Sequence, residues 1–151
     1  MFRFHKPLDI ITLFHKPTLP SSLRALALLK QASANAAQAD ADTTPNANGT
    51  STGRRRRRGQ FELNVTEDAP TPDELRLIME YMGAGRRVGE LVSGAVGGRE
   101  DAVRRVREDG GRFVRPVVVD WNNGRAVLGT NESAILKLLE EEPPSTPDNT
   151  P

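Results

Sequence analysis

The sequence predicts a single α/β domain: a mixed four-stranded sheet with flanking helices and a helical insertion. Three observations carry that expectation. A β-branched run stops at a proline and is followed by a stretch of strong helix formers. A capped amphipathic helix is succeeded by two further stretches of helical spacing, and a valine-rich strand turns back on itself at Asn122-Asn123-Gly124. Parallel strands joined by helices imply right-handed crossovers, and a closing hairpin adds an antiparallel edge to the same sheet.

The elements follow in order. Residues 9–15 read Asp-Ile-Ile-Thr-Leu-Phe-His, a buried strand that Pro17 ends. After the loop Lys16-Pro17-Thr18-Leu19-Pro20, Ser21 or Ser22 is placed to cap a helix over residues 23–30, which are dominated by Leu and Ala. Residues 33–60 hold almost nothing large and apolar to offset the entropy of ordering, so they read as a disordered insertion containing Arg54 through Arg58. Phe61-Glu62-Leu63-Asn64-Val65 alternates at period two, a second strand.

The next signal is a capping box. Thr71 stands at the N-cap, Pro72 at the first helical position, Glu74 three residues after the cap and Gly83 at the end. Leu75, Ile78, Met79 and Met82 form its apolar face. Val88, Leu91, Val92 and Ala95 repeat the spacing in a shorter helix, and Ala102, Val103 and Val106 in a third. Residues 113–121 read as a strand, and residues 125–128 as its hairpin partner. Thr130 or Asn131 caps a last helix with Ile135, Leu138 and Leu139 inward, and residues 143–151 form a polar, disordered tail.

Composition excludes several chemistries. The 21 basic and 20 acidic residues leave a net charge of +1, so no whole-molecule field gathers nucleic acid or acidic lipid. The chain has no cysteine, which removes a disulfide framework, a cysteine zinc site and a Cys-X-X-Cys redox pair. His5 and His15 make a poor metal pair with no acid at ligand spacing. No apolar run approaches the ~20 residues a membrane span needs. The opening Met-Phe-Arg-Phe-His-Lys shares the basic character of a mitochondrial presequence, but a strand begins by Asp9 and leaves little to cleave.

The element order resembles the thioredoxin fold, and within it the arsenate reductase-like branch, which inserts helices between its two halves. The segment from Ile11 to Ser21 resembles the strand-loop-helix of those enzymes in which His-Asn-Pro precedes the reactive thiol, with Leu19 near the thiol's position. Phe113-Val114-Arg115-Pro116-Val117-Val118-Val119 resembles their Arg-Pro-Ile-Val strand, whose proline is cis and lines the site; Pro116 would inherit that place. Residues 71–83, together with the run from Pro116 through Asp120-Trp121 to Gly124, resemble a family of fungal proteins described as mitochondrial redox proteins. That resemblance implies a mitochondrial address and a role in reducing small toxic molecules. It departs where it matters most, because no residue here can become a thiolate.

Five residues stand out as ligand-binding. In thioredoxin-like proteins the backbone beside the cis proline pairs with an extended peptide or with glutathione, without using a protein thiol; Pro116 carries this reading against the plainer one that it begins a strand. Thr18, Ser21 and Ser22 lie where a helix N-terminus meets an anion, although serine caps helices without any ligand. Arg115 is placed to pair with a carboxylate, or else is a solvated strand-end arginine. Trp121 with Asp120 reads as packing, its N–H satisfied near the surface.

The expected function is therefore a cysteine-free, thiol-inactive protein of the redox fold that binds a small thiol or disulfide such as glutathione, with no other cofactor. The alternatives are an interaction module docking through the Arg-rich insert or a sheet edge, and a hydroxyl-assisted glutathione transferase. Nucleic acid is disfavoured because the insert lacks aromatic residues that stack on bases. The ligand reading requires the loop from Pro17 to Ser22 to lie against the turn holding Pro116.

Overall fold

Ile11, Leu13 and Phe14 are almost wholly removed from solvent, and they make β1 (Asp9–Phe14) the strand around which the sheet is built. The structure is a computed structural model that describes residues 8–41, 60–83 and 88–140. After β1 come α1 (Pro20–Ala41), β2 (Phe61–Thr66), α2 (Pro72–Met82), a 3-10 turn at Val88–Glu90 and α3 (Arg99–Glu108). A second 3-10 turn (Gly110–Arg112), β3 (Val117–Asp120), β4 (Arg125–Leu128) and α4 (Glu132–Glu140) complete it. The strand order is β2-β1-β3-β4. β1 pairs parallel with β2 and antiparallel with β3, and the β3–β4 hairpin forms the far edge.

Alternation along the strands makes two cores. Ile11, Leu13 and Val118 join Ala25 and Leu29 of α1 and Ile135 and Leu138 of α4 on one face. Phe14, Val117, Val119 and Ala126 meet Leu75 and Ile78 of α2, Val103 and Val106 of α3, and Phe113 on the other. Fully burying one Leu, Ile or Val stabilises by about 1.5–3 kcal/mol. An exposed ion pair such as Arg24–Glu132, at 3.2 Å between α1 and α4, contributes about 0–1 kcal/mol. The cores, not the surface charges, hold the helices to the sheet.

The α2 signals are realised in full. Thr71 Oγ1 accepts the Glu74 N–H at 3.1 Å while Glu74 Oε1 accepts the Thr71 N–H at 3.0 Å. The hairpin turns at residues 121–124, with Gly124 at φ 64°. Asn131 caps α4, its side chain accepting the Ala134 N–H at 3.1 Å, and Ile135, Leu138 and Leu139 are buried as the spacing predicts.

Four expectations need correction. α1 starts at Pro20, so Ser21 and Ser22 lie within its first turn and neither is its N-cap; Pro20 needs no N–H at that position. The helix also continues to Ala41, so residues 33–41 of the expected insertion are helical, an Ala-rich run of high propensity. Residues 42–59, including Arg54 through Arg58, and residues 141–151 lie outside the described residues, as does His5. The short second helix of the insertion is only the turn Val88–Glu90. Val92 leaves it to bridge Phe113, and Gly94 at φ 85° breaks the helical course, though Leu91, Val92 and Ala95 are buried as expected. The strand expected over residues 113–121 is regular only across Val117–Asp120, because Pro116 has no N–H to give a ladder. Among the described residues no helix is long and apolar enough to cross a membrane.

Asp101 organises the loop before α3, whose N-cap Gly98 has no side chain to offer. Its Oδ2 accepts the N–H groups of Val96 at 3.2 Å and Gly97 at 3.1 Å and the Arg105 Nε at 3.0 Å, and its Oδ1 accepts from Arg104. The Arg105 hydrogen bond first, then the Gly97 N–H, pull its carboxyl down to about 2 against the opposing effect of desolvation. A carboxyl whose folded value is depressed contributes stability above the ordinary carboxylate range, lost as pH falls from about 4 toward 2. Asp101→Asn is expected to lower the urea midpoint at pH 7 and to differ progressively less from the parent as the pH drops through that window. A gap that stays constant from pH 7 to the acid limit would contradict this account.

Candidate functional site

The site is built at the end of β1. Phe14 is paired with Val117, so the next step along both strands sets His15 beside Pro116. The His15 N–H donates to the Thr66 carbonyl at 2.8 Å, holding this residue to β2 as well. The loop then turns tightly: the Leu19 N–H donates to the Lys16 carbonyl at 3.0 Å, and the Leu19 carbonyl accepts the Ser22 and Leu23 N–H groups at 3.0 and 3.1 Å. Inside this turn Ser22 is fully buried. Its Oγ accepts the Lys16 N–H at 2.9 Å and lies 2.6 Å from His15 Nδ1.

Against this loop stands the approach to β3. The Arg115–Pro116 peptide is cis, the geometry the resemblance implies. Pro116 is buried, and its carbonyl accepts the Gly129 N–H at 2.7 Å. The Val114 N–H is engaged by the Leu91 carbonyl at 2.9 Å. Between these anchors the N–H and C=O of half-buried Arg115 have no partner among the described residues. A buried backbone amide is normally paired, so an open pair at the rim of a loop is a position for an incoming chain.

The Arg115 side chain is used within the protein. Nη1 donates to the carbonyls of Phe113 at 2.9 Å and Gly110 at 3.3 Å, and Nη2 to the Glu67 carbonyl at 3.1 Å. The guanidinium lies 5.7 Å from the centre of the Phe113 ring. Burial pushes it below the ordinary arginine value, partly offset by Asp68 and Glu67, and it stays charged. It is thus neither free at a strand end nor wholly available to a carboxylate; two of its five N–H donors are left.

The five residues singled out by sequence reasoning gather at one end of the sheet with different duties. Thr18 is exposed and Ser21 half-buried, both open to a ligand. Ser22 is not: full burial and its two hydrogen bonds turn the hydroxyl inward, which removes it as a ligand for sulfur and weakens the hydroxyl-assisted transferase. The sequence sets His15 near these hydroxyls along the chain but does not select Ser22 as its partner, since a spacing of seven residues across a Pro-containing loop has no periodic signature. Among the described residues no group of three or more metal-binding side chains gathers. Trp121 is at the other end of β3, its Nε1 donating to Thr12 Oγ1 at 2.8 Å and its ring edge-to-face with Tyr81 at 6.2 Å.

Comparison with known proteins gives a fold and a family. The chain is similar to an arsenate reductase from Vibrio cholerae, with a TM-score of 0.55 and 17% sequence identity over 85% of this chain and 97% of that one. At that identity the likeness is one of fold, and the sheet with its flanking helices is thioredoxin-like. No curated protein matches the sequence. Residues 2–129 match the family described as protein of unknown function (DUF1687).

The space behind Pro116 is closed. A Cβ at Gly129 would lie 2.7 Å from Pro116 Cγ and 2.9 Å from its Cβ, both in a stiff ring. Gly129→Ala is expected to destabilise by about 1–3 kcal/mol in urea unfolding and to displace the Arg115 amide resonance. An alanine variant with parental stability and an unmoved Arg115 signal would show that this contact does not position the site.

Proposed function

This chain belongs to the DUF1687 family, and for it we propose ligand binding without thiol transfer: a small peptide-like thiol compound, represented by glutathione, lies along the open backbone of Arg115. The observation that carries this reading is the unpartnered N–H and C=O of that residue, held between two anchored neighbours beside the β1–α1 loop. A peptide amide of the ligand pairs with them as an added strand would. The ligand's carboxylates find Lys16, the Ser21 N–H in the first turn of α1 and the two remaining Arg115 donors. α1 has no acidic residue in its first turn to oppose them.

The sulfur chemistry stops at the ligand. A reductase of this fold passes electrons through a protein thiolate, and this chain has no cysteine to form one. The protein in this reading holds or presents a thiol compound rather than exchanging disulfides with it.

Titration of 15N-labelled protein with reduced glutathione is expected to shift the Arg115, Lys16, Thr18 and Ser21 amides at millimolar concentration. The Trp121 indole signal, at the far end of β3, stays in place. No movement at the first four removes the reading. Independently, Leu19→Cys sets a thiol at the start of α1, where the helix dipole favours thiolate. It is expected to react with iodoacetamide at pH 7 faster than free cysteine does, and equal rates would refute the placement of position 19.

A further inference from the structure

His15 is only 6% exposed, yet one of its ring nitrogens is without a partner among the described residues. Nδ1 meets Ser22 Oγ at 2.6 Å. That oxygen already accepts the Lys16 N–H at 2.9 Å, and Ser22 is fully buried, so no water reaches its hydroxyl proton. Among the described residues the sole acceptor left for the Ser22 O–H is Nδ1. An unmade hydrogen bond at a buried hydroxyl costs more than a made one contributes, so the satisfied arrangement has Ser22 donating and Nδ1 accepting. The ring proton then sits on Nε2.

Nε2 has no hydrogen bond among the described residues. Alternation along β1 sets His15 on the same face as Ile11 and Leu13, the α1 side, and Pro116 shares that face with Val118. The ring therefore lies at the end of the sheet where the Arg115 backbone is open among the described residues. We infer that Ser22 locks His15 in the tautomer protonated on Nε2, and that this N–H is a directed hydrogen-bond donor to a carbonyl or carboxylate of the bound ligand. The assignment rests on the binding reading above, whereas the tautomer stands on the free protein alone. Ser22 acts as a positioning residue, and His15 touches the ligand.

Two measurements test it. In the free protein, 15N spectra of the His15 ring are expected to show an unprotonated Nδ1 and a protonated Nε2, and Ser22→Ala to mix the tautomers. A proton on Nδ1 in the parent protein overturns the inference. For the ligand contact the probe is reduced glutathione. His15→Asn keeps an amide where Nδ1 stood but nothing at Nε2, and is expected to bind roughly two- to tenfold more weakly, the worth of one hydrogen bond. His15→Gln supplies an amide near the Nε2 position and is expected to recover most of the loss. If the parent binds and His15→Asn binds equally well, this inference fails and the binding reading survives; if the parent does not bind, both fail.

Discussion

β1 is hydrogen-bonded along both edges and packed on both faces, and the position of the site follows from its register. Ile11 and Leu13 belong to the α1–α4 core and Phe14 to the α2–α3 core. A slip of one residue would exchange those faces, sending buried aliphatic groups to the wrong core and Thr12 among the wrong neighbours. It would also carry His15 away from α1, and with it the hydrogen bond to Ser22. The same pairing that stabilises the sheet thus selects which loop residue stands beside Pro116.

At that end of the sheet, polar groups divide between those that make the loop and those left open. Ser22, a buried hydroxyl, closes the turn by taking the Lys16 N–H, and the Arg115 guanidinium draws Gly110, Phe113 and Glu67 together through their carbonyls. Both were attractive ligand groups on residue type alone. With both engaged, the groups left for the proposed ligand are the Arg115 backbone and the β1–α1 loop with its exposed Lys16, none of them a thiol. A fold of this type without a cysteine has no protein thiolate to pass electrons through, and it keeps the open Arg115 backbone beside the β1–α1 loop.

Local signals were legible wherever one short stretch determines the outcome. The Thr71–Glu74 box, the Asn122-Asn123-Gly124 turn and the apolar spacing of α2, α3 and α4 each depend on residues within a turn or two, and each is realised. Where tertiary pairing competes with local preference, the reading strayed. Val92 has helical spacing with Val88 but is drawn into a bridge with Phe113, and the strand run before Val117 is broken by a proline that cannot donate. The far end of α1 went unseen because Ala, Asn and Gln carry little apolar area, while their helix propensity is enough to extend a helix already nucleated on the sheet. The nearness of His15 to the loop hydroxyls is legible in the sequence, but its pairing with Ser22 is not, since that arises from a loop conformation rather than a repeat.

The run from Pro116 to Gly124 carries part of the resemblance to known sequences, and its two ends have separate duties. The hairpin end pins the start of β1: Asn122 Oδ1 accepts the Ile10 N–H at 2.9 Å, Trp121 Nε1 donates to Thr12, and Asn123 Nδ2 donates to buried Asp120 at 2.9 Å. β3 has four residues, so about 13 Å of strand separates this cluster from Pro116. Conserving the Asp-Trp-Asn-Asn-Gly chemistry would preserve the register of β1 whatever happens to the ligand site. A match in that stretch reports on the fold, and the function has to be read at the opposite end, where the thiol is missing and the His15 ring and the Arg115 backbone are what a ligand would meet.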